Sequence, residues 1–432
     1  MELSRFNIVS QLKDSDEYFI INALYGSADI VDGNLCRGLL EGKVINDEFI
    51  DRGYLVDPGV EKDRFREAYL RFLDNRENDE LQLFFVPWYD CNFDCSYCYQ
   101  GDYELTGKVV STGVTDSFFN YIDTVFSQRK KYITLFGGEP LLPGKSHRAM
   151  ISYLTVNAAK RGIDIAVVTN GYHVADYIDI LEEGNIREVQ ITIDGTREVH
   201  NKRRYLKTGR GSFDRIVEGA DLLLKHGVPL NLRVVLDRDN ISNLPELARF
   251  AIDRGWTASP GFSTQLGRNY ELHECQAGSN RLYSRIGMYA ELYRMIKEHP
   301  EILEFHRPSF SVSRALYENG EIPSPLFDAC PGAKTEWAFD YTGKIYSCTA
   351  TVGKKGEELG TFFPERVIDQ DKIDSLADRD ILSIKECRDC NVSLLCGGGC
   401  AALAKNRNGS SQGPDCRPVK ELLELGISAY FK

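Results

Sequence analysis

Cys91-Asn92-Phe93-Asp94-Cys95-Ser96-Tyr97-Cys98 is the stretch from which the fold can be inferred. It follows a strand-like run, Leu81 to Trp88, and places three thiols at its first, fifth and eighth positions. Three thiolates can hold three corners of a [4Fe–4S] cluster, whereas a plain electron carrier uses four. The fourth iron is then open to a small chelating ligand, and the ring of Tyr97 is suited to shield the cluster from water. A zinc site, which favours paired C-x2-C sets, and a chance grouping are the alternatives.

The composition argues against nucleic-acid and membrane partners. The 432 residues carry a net charge of -12 without a block of like charge, and no apolar run approaches the length of a membrane span. Met1 to Ile20 lacks the apolar core of a signal peptide, so we expect a cytoplasmic protein. Cysteines in that compartment are more often metal ligands than disulfides, and ten of the twelve lie in two groups with ligand-like spacing.

Residues 1–78 are predicted to form a small, separate α+β module. Apolar segments interrupted by turn residues indicate strands, and apolar residues at helical spacing indicate helices. The predicted strand segments are Phe6–Leu12, Tyr18–Val31 and Phe49–Val56, and the predicted helices are Gly33–Leu40 and Glu61–Leu73. One hypothesis is that this module only covers the open end of the neighbouring domain.

Residues 79–310 are predicted to form a partial (β/α)6 TIM-type barrel. Strand-like and helical segments alternate there, which implies a parallel sheet with right-handed crossovers. The predicted strands are Leu81–Trp88, Tyr132–Phe136, Asp164–Thr169, Glu188–Ile193, Pro229–Leu236 and Ala258–Gln265. The predicted helices are Thr115–Ser127, Ser146–Lys160, Val174–Glu183, Phe213–His226 and Asn243–Arg254. Motifs suited to ligands at the carboxyl ends of the strands favour a barrel over an open doubly wound sheet.

Three of those motifs follow the second, third and fourth strands. The first is Gly137-Gly138-Glu139-Pro140, in which the glycines allow close backbone approach and the carboxylate can accept from an ammonium group. The others are Val168-Thr169-Asn170-Gly171 and the run from Asp194-Gly195 to Gly211-Ser212-Phe213-Asp214. The run from Asp194 to Asp214 includes His200 and Arg204. The alternative for Asp194-Gly195 is a tight turn. The alternatives for His200 and Arg204 are a solvated helix start and a structural salt bridge.

Residues 311–432 are predicted to form a cysteine-rich domain. Seven thiols with ligand-like spacing are a stronger indication of metal than any single pair, and structural zinc is the alternative. They are Cys330, Cys348, Cys387, Cys390, Cys396, Cys400 and Cys416. A hairpin-turn sequence ending at Gly343 is expected to bring Cys330 and Cys348 together.

The spacing of Cys91, Cys95 and Cys98, together with the GGEP sequence, resembles the signature of radical S-adenosylmethionine (SAM) enzymes. The seven later cysteines resemble the SPASM domain, which holds two auxiliary [4Fe–4S] clusters. The resemblance spans Leu81 to Cys416 and implies three [4Fe–4S] clusters and SAM as cofactors. It assigns the catalytic cluster to the first three cysteines, and it implies the following contacts to SAM or its cluster: Tyr97, Gly137, Gly138, Glu139, Asn170, Asp194 and Arg204.

The family's pattern also implies how the seven cysteines divide. Cys330, Cys348 and Cys400 would hold the first auxiliary cluster, and the second would be held by Cys387, Cys390, Cys396 and Cys416. The first set has only three protein ligands, because Pro331-Gly332-Ala333-Lys334 supplies no further thiol. An open iron is therefore expected there. Cys275 is a distant candidate ligand, but a free thiol is the preferred interpretation of that residue.

The resemblance implies an enzyme that cleaves SAM to a 5′-deoxyadenosyl radical and modifies a ribosomally made precursor peptide. We expect a crosslink, in the first place a cysteine thioether, with a carbon–carbon crosslink and formylglycine formation as alternatives. Sulfatase maturases carry a catalytic Asp where Thr349 stands. A reducing partner such as flavodoxin or ferredoxin is implied, and in such maturases a module like residues 1–78 often binds a leader peptide. An iron–sulfur electron carrier is the rival outside this class, but it would not need an open iron.

Overall fold

The computed structural model describes residues 1–44, 46–103, 107–269 and 280–431. Cys275, the distant candidate ligand, lies outside these ranges. Among the described residues, no helix combines the length and the apolar character that a membrane span requires.

The N-terminal module contains a three-stranded antiparallel sheet followed by three helices. Its elements are β1 Glu2–Leu3, β2 Asn7–Gln11, β3 Tyr18–Asn22, β4 Ser27–Val31, α1 Gly33–Leu40, α2 Asp47–Asp51, β5 Leu55–Val56 and α3 Pro58–Asn78. The sheet has the order β2-β3-β4, and β1 pairs separately with β5. The α+β character and the first helix agree with the sequence prediction.

The predicted strand over Phe49–Val56 is wrong. Its first part belongs to helix α2, and only Leu55–Val56 is extended. The Asn46 side chain caps this helix by accepting a hydrogen bond from the Phe49 N–H at 2.8 Å, and Asp47 and Glu48 occupy its first turn. A good N-cap and acidic residues near the positive end of the helix dipole override the β-propensity of the apolar residues.

The middle of the chain forms the predicted partial barrel. Its elements are β6 Leu81–Val86, α4 Thr112–Val125, β7 Lys131–Leu135, α5 Lys145–Ala159, β8 Asp164–Thr169, α6 Ile178–Glu183, β9 Ile186–Thr192, α7 Arg197–Arg203, α8 Phe213–Lys225, β10 Leu230–Leu236, α9 Leu244–Asp253 and β11 Phe262–Arg268. The six strands are parallel and lie in chain order from β6 to β11. A doubly wound sheet reverses its strand order at a switch point, so the observed order confirms the barrel-type arrangement.

The C-terminal segment continues the same sheet. Its elements are α10 Arg285–Glu298, α11 Ile302–Phe305, α12 Ser313–Asn319, β12 Glu336–Asp340, β13 Lys344–Tyr346, β14 Gly360–Thr361, β15 Val367–Ile368, α13 Gln370–Ala377, α14 Ser393–Cys396, α15 Ala401–Asn408 and α16 Val419–Tyr430. Strand β12 pairs in parallel with β6, and β13 to β15 follow as antiparallel neighbours. The cysteine-rich segment is therefore anchored to the strand that leads into the first cysteine loop.

The N-terminal module shares its hydrophobic core with the C-terminal segment. Phe327, which is fully buried, packs its ring against Phe65, Tyr69 and Phe72 of α3 at centroid distances of 5.2, 5.1 and 5.5 Å. Residues of β2 and β3 and residues of α14 and α16 belong to the same buried cluster. The module is thus fastened to the cysteine-rich segment rather than standing apart.

Candidate functional site

A cavity of about 360 Å³ opens among the loops that follow the barrel strands. This volume lies within the range typical of small-molecule sites. Eight of the ten residues predicted for the catalytic cluster and SAM line it: Cys91, Cys95, Tyr97, Cys98, Gly137, Gly138, Asn170 and Arg204. These residues come from four separate loops of the barrel, so the fold brings together what the sequence keeps apart.

The cysteine loop is fastened to the last residue of α7 and to the segment that follows it. The Asp94 N–H donates to the Tyr205 carbonyl at 2.9 Å, and the Ser96 N–H donates to the Arg203 carbonyl at 3.0 Å. These bonds hold the loop across the mouth of the barrel. Cys91 and Cys95 are partly buried and Cys98 is exposed.

The surroundings of the three thiols suit an iron–sulfur cluster. The Phe93 N–H donates to the Cys91 sulfur at 3.4 Å. Burial raises the pKa of Cys91 to about 12 and that of Cys95 to about 11, and the Arg204 guanidinium opposes the latter shift. These thiols therefore keep their protons until a metal displaces them.

The cysteines line the cavity rather than meeting at one point. Within the described ranges, no three or more His, Cys, Asp and Glu side chains converge so as to hold a single metal ion. Each cysteine of an iron–sulfur cluster binds its own iron, so its ligands surround a volume. Three thiols around one cavity fit that arrangement.

Glu139 lies behind the cavity wall, and both its carboxylate oxygens bind protein donors. One oxygen accepts from the Thr169 hydroxyl at 2.6 Å and the Leu141 N–H at 2.7 Å, and the other accepts from the Asn170 N–H at 2.6 Å. The side chain is fully buried, and this burial raises its pKa. Glu139 thus joins the second and third strand-end loops, and its direct contact with SAM stays a prediction.

Gly138 is required by backbone packing. A Cβ atom at this position would lie 2.2 Å from the Asp90 carbonyl oxygen and 2.3 Å from that of Tyr89, so any side chain would collide with the start of the cysteine loop. The Glu139 N–H donates to the same Asp90 carbonyl at 2.9 Å. The glycine therefore lets the two loops approach one another as well as the cavity.

Asp194 is a second buried carboxylate that organises the wall. One oxygen accepts from the Val235 N–H at 2.9 Å, and the other accepts from the Tyr97 hydroxyl at 2.5 Å. Arg204 donates to that Tyr97 hydroxyl at 2.7 Å, so the phenol links carboxylate and guanidinium. A direct contact between Asp194 and SAM stays a prediction, whereas Tyr97 and Arg204 reach the cavity.

His200 and Ser212 hold this arrangement from behind. The Asp194 N–H donates to Nδ1 of His200 at 3.2 Å, so Nε2 carries the proton and donates to the Ser212 hydroxyl at 3.0 Å. That hydroxyl donates in turn to the Arg204 carbonyl at 2.7 Å. Burial lowers the pKa of His200 well below its usual value, which favours this neutral tautomer. His200 and Ser212 therefore have a structural role that positions Arg204.

The second group of cysteines forms two sets. Cys330, Cys348 and Cys400 line one cavity of about 440 Å³. The other four thiols lie near one another: burial and then the charges of Cys396, Cys390 and Cys416 raise the pKa of Cys387 to about 11. This division matches the assignment that the resemblance implies, although cluster binding at these cysteines stays a prediction.

Residues 85–251, which carry the cysteine loop and most of the cavity wall, match the sequence model of the Radical SAM superfamily. This part of the chain is a radical SAM domain. Enzymes of this superfamily use a [4Fe–4S] cluster and SAM, and the cavity described above offers the three thiols that such a cluster needs.

The chain is similar in sequence to an anaerobic sulfatase-maturating enzyme and similar in fold to two solved structures. It is 23% identical over 371 residues to a cysteine-type anaerobic sulfatase-maturating enzyme of Clostridium novyi (strain NT), covering 78% of this chain and 93% of that enzyme. Its fold is similar to that of native anSMEcpe with bound AdoMet, with a TM-score of 0.64 at 19% identity over 81% of this chain and 98% of that one. It is also similar to Streptococcus suis SuiB bound to precursor peptide SuiA, with a TM-score of 0.56 at 13% identity over 97% and 99% of the two chains.

The sequence interpretation missed several residues that line the cavity of about 360 Å³, called the SAM-type cavity below: Lys207, Arg233, Arg268 and Asn269. Arg233 could have been found, because residues of β10 alternate between fully and partly buried positions and the arginine falls on the partly buried side. Arg268 and Asn269 follow from the true end of β11, which lies three residues beyond the predicted one. Thr349 also lines this cavity. The sequence analysis named it only as the position of the catalytic Asp of sulfatase maturases, and no local pattern places it here because it belongs to the C-terminal segment.

Proposed function

We propose that this radical SAM enzyme is a peptide maturase that installs a crosslink, in the first place a cysteine thioether, in a ribosomally made precursor peptide. The observation that carries the proposal is that Thr349 lines both the SAM-type cavity and the cavity of Cys330, Cys348 and Cys400. A substrate side chain beside Thr349 would lie within reach of both. When bound in the SAM-type cavity, the cluster and SAM would supply the radical chemistry that removes hydrogen from substrate.

The chain's own residues hold the clusters and orient SAM in the cavity. Cys91, Cys95 and Cys98 hold the SAM-binding cluster, and the seven later cysteines hold two auxiliary clusters, which gives three in all. The Gly137-Gly138 backbone, Asn170 and Arg204 contact SAM in the cavity. Glu139 and Asp194 position those contacts from behind the wall, because their oxygens already bind protein donors. Flavodoxin or ferredoxin is the expected electron source.

The N-terminal module offers a sheet edge for a leader peptide. Strand β2 packs against α16 of the C-terminal segment, where Ser10 donates to Glu424 and the Lys13 N–H donates to Ser428 at 3.0 Å. Strand β4 forms the other edge and, among the described strands, pairs only with β3. Ile30 on this edge strand and Leu40 of the next helix are 43% and 46% exposed. An extended peptide with apolar side chains could add to this edge as a fourth strand.

The first experiment tests the catalytic cluster. We expect about twelve irons per chain, at four irons per cluster. A variant with Cys91→Ala, Cys95→Ala and Cys98→Ala should lose about a third of the iron and all 5′-deoxyadenosine formation, whereas Cys36→Ala, which removes a buried thiol of the N-terminal module, should change neither. Continued SAM cleavage by the triple variant would contradict the assignment.

The second experiment tests the product. The enzyme is coexpressed with a short cysteine-bearing precursor encoded beside it, and the peptide is weighed before and after thiol alkylation. A thioether product is lighter by two hydrogens and has lost an alkylatable cysteine. A peptide with the same mass loss whose cysteines all still alkylate would contradict the thioether and support a carbon–carbon crosslink.

Formylglycine formation is a second candidate, favoured by the similarity to the Clostridium novyi enzyme over 93% of its length. Position 349 is a threonine, whereas sulfatase maturases carry a catalytic Asp there, and this difference counts against formylglycine formation. Incubation with a peptide that carries a sulfatase-type cysteine or serine, followed by trapping of aldehydes with a hydrazide, tests it directly. Aldehyde formation by the unmodified enzyme would favour this candidate over crosslinking.

A further inference from the structure

The cavity of Cys330, Cys348 and Cys400 also contains a carboxylate, that of Glu336. Glu336 opens strand β12, which pairs with β13 so that Ala338 lies opposite Tyr346 and Phe339 opposite Ile345. Cys348 follows the end of β13 at Tyr346 by two residues. Its thiol and the Glu336 carboxylate line the same cavity.

Backbone hydrogen bonds fix Glu336 to the loop that begins at Cys330. Its N–H donates to the Pro331 carbonyl at 2.9 Å, and its carbonyl accepts from the Ala333 N–H at 2.9 Å. Its carboxylate accepts from the Thr349 N–H at 3.2 Å. Glu336 is thus held between the first cysteine of the set and the residue that follows the second.

The surroundings leave this carboxylate without a cation. Among the described residues it forms no ion pair, and its hydrogen-bond donor is the Thr349 N–H. Glu357 lines the same cavity but is paired with Lys405 at 2.6 Å. Glu336 is partly buried, and a carboxylate withdrawn from water without a charged partner is unfavourable unless a metal or another donor offsets its desolvation.

We propose that Glu336 is the fourth protein ligand of the first auxiliary cluster, at the iron that Cys330, Cys348 and Cys400 leave unligated. The assignment rests on the proposed auxiliary cluster and replaces the open iron expected from the sequence. A carboxylate oxygen is an established ligand type for iron in proteins. The hairpin supplies across its strands the ligand that Pro331-Gly332-Ala333-Lys334 cannot supply along the chain. A substrate thiol would then have to compete with Glu336 for that iron.

The test uses the full chain with Cys91, Cys95 and Cys98 changed to Ala, so that only auxiliary clusters contribute to the spectra. Iron is counted, and the reduced protein is studied by electron paramagnetic resonance with and without cyanide, a probe that binds an iron lacking a protein ligand. We expect about eight irons per chain and a spectrum that cyanide does not change. Adding Glu336→Gln should make the spectrum respond to cyanide or remove about four irons.

Two further variants keep the outcome decisive. Glu357→Gln, in the same cavity, should match its parent in iron content and in its lack of response to cyanide. Glu336→Cys should restore four irons and a cyanide-insensitive spectrum if Glu336→Gln loses them. A parent spectrum that shifts with cyanide, or a Glu336→Gln spectrum that matches the parent in both conditions, would overturn the ligand assignment alone. A parent with only about four irons would overturn the proposed first auxiliary cluster itself.

Discussion

Replacing Glu139 with Gln should loosen the loop at Asn170 more than it weakens SAM binding. The carboxylate accepts three hydrogen bonds, from Thr169, Leu141 and Asn170. In the better orientation of the new amide, its oxygen keeps the Thr169 and Leu141 bonds, and its NH2 group faces the Asn170 N–H. One charge-assisted bond is lost, which is worth about 1.5–3 kcal/mol. At 1.36 kcal/mol for each factor of ten, this corresponds to a fall of roughly 10- to 150-fold in protection of that amide.

Hydrogen–deuterium exchange of the peptide that contains Asn170 measures the loss, and an anaerobic SAM titration of the same variant measures affinity. Glu80→Gln is the matched control, because Glu80 is a partly exposed carboxylate paired with Arg187 and should leave both quantities nearly unchanged. Unchanged protection at Asn170 combined with a tenfold or greater loss of SAM affinity would refute this reasoning. It would assign Glu139 a direct contact with SAM.

Three further perturbations test other parts of the structure. Phe327→Ala should lower stability by about 3–5 kcal/mol and make the α3 segment sensitive to protease, because its ring packs against three aromatic rings of that helix; unchanged proteolysis would argue against the shared core. Tyr97→Phe should weaken SAM binding by about tenfold with iron content unchanged, since Arg204 loses the phenol that positions it; equal affinity in an anaerobic titration would remove the tyrosine from the site. Burial lowers the pKa of His306 to about 4, so the unfolded chain binds a proton at this histidine before the folded protein does, and stability is lost as pH falls below about 6.5. The unfolding free energy should therefore drop by about 1 kcal/mol between pH 7.5 and 5.5, and His306→Gln should remove that part of the drop.

The cysteine spacing and the alternation of strands and helices were sufficient to predict the cofactor class and the barrel. Both are local patterns: Cys91, Cys95 and Cys98 lie within eight residues, and each strand shows its own apolar run. The prediction from apolar runs failed where a helix cap outweighed the strand propensity of the residues. The Asn46 cap, for example, turned part of the predicted strand Phe49–Val56 into helix α2.

Only the tertiary structure decided which polar residues face the cavities and which lie behind them. Glu139 and Asp194 follow their strands as a ligand-binding residue would, but backbone N–H groups from neighbouring strands and loops bind their oxygens. Glu336 looks like any polar residue at the start of a strand, and it lines one cavity with Cys348 because β12 and β13 pair as a hairpin. Strand register and side-chain burial depend on contacts between residues far apart in the chain, so no local pattern specifies them.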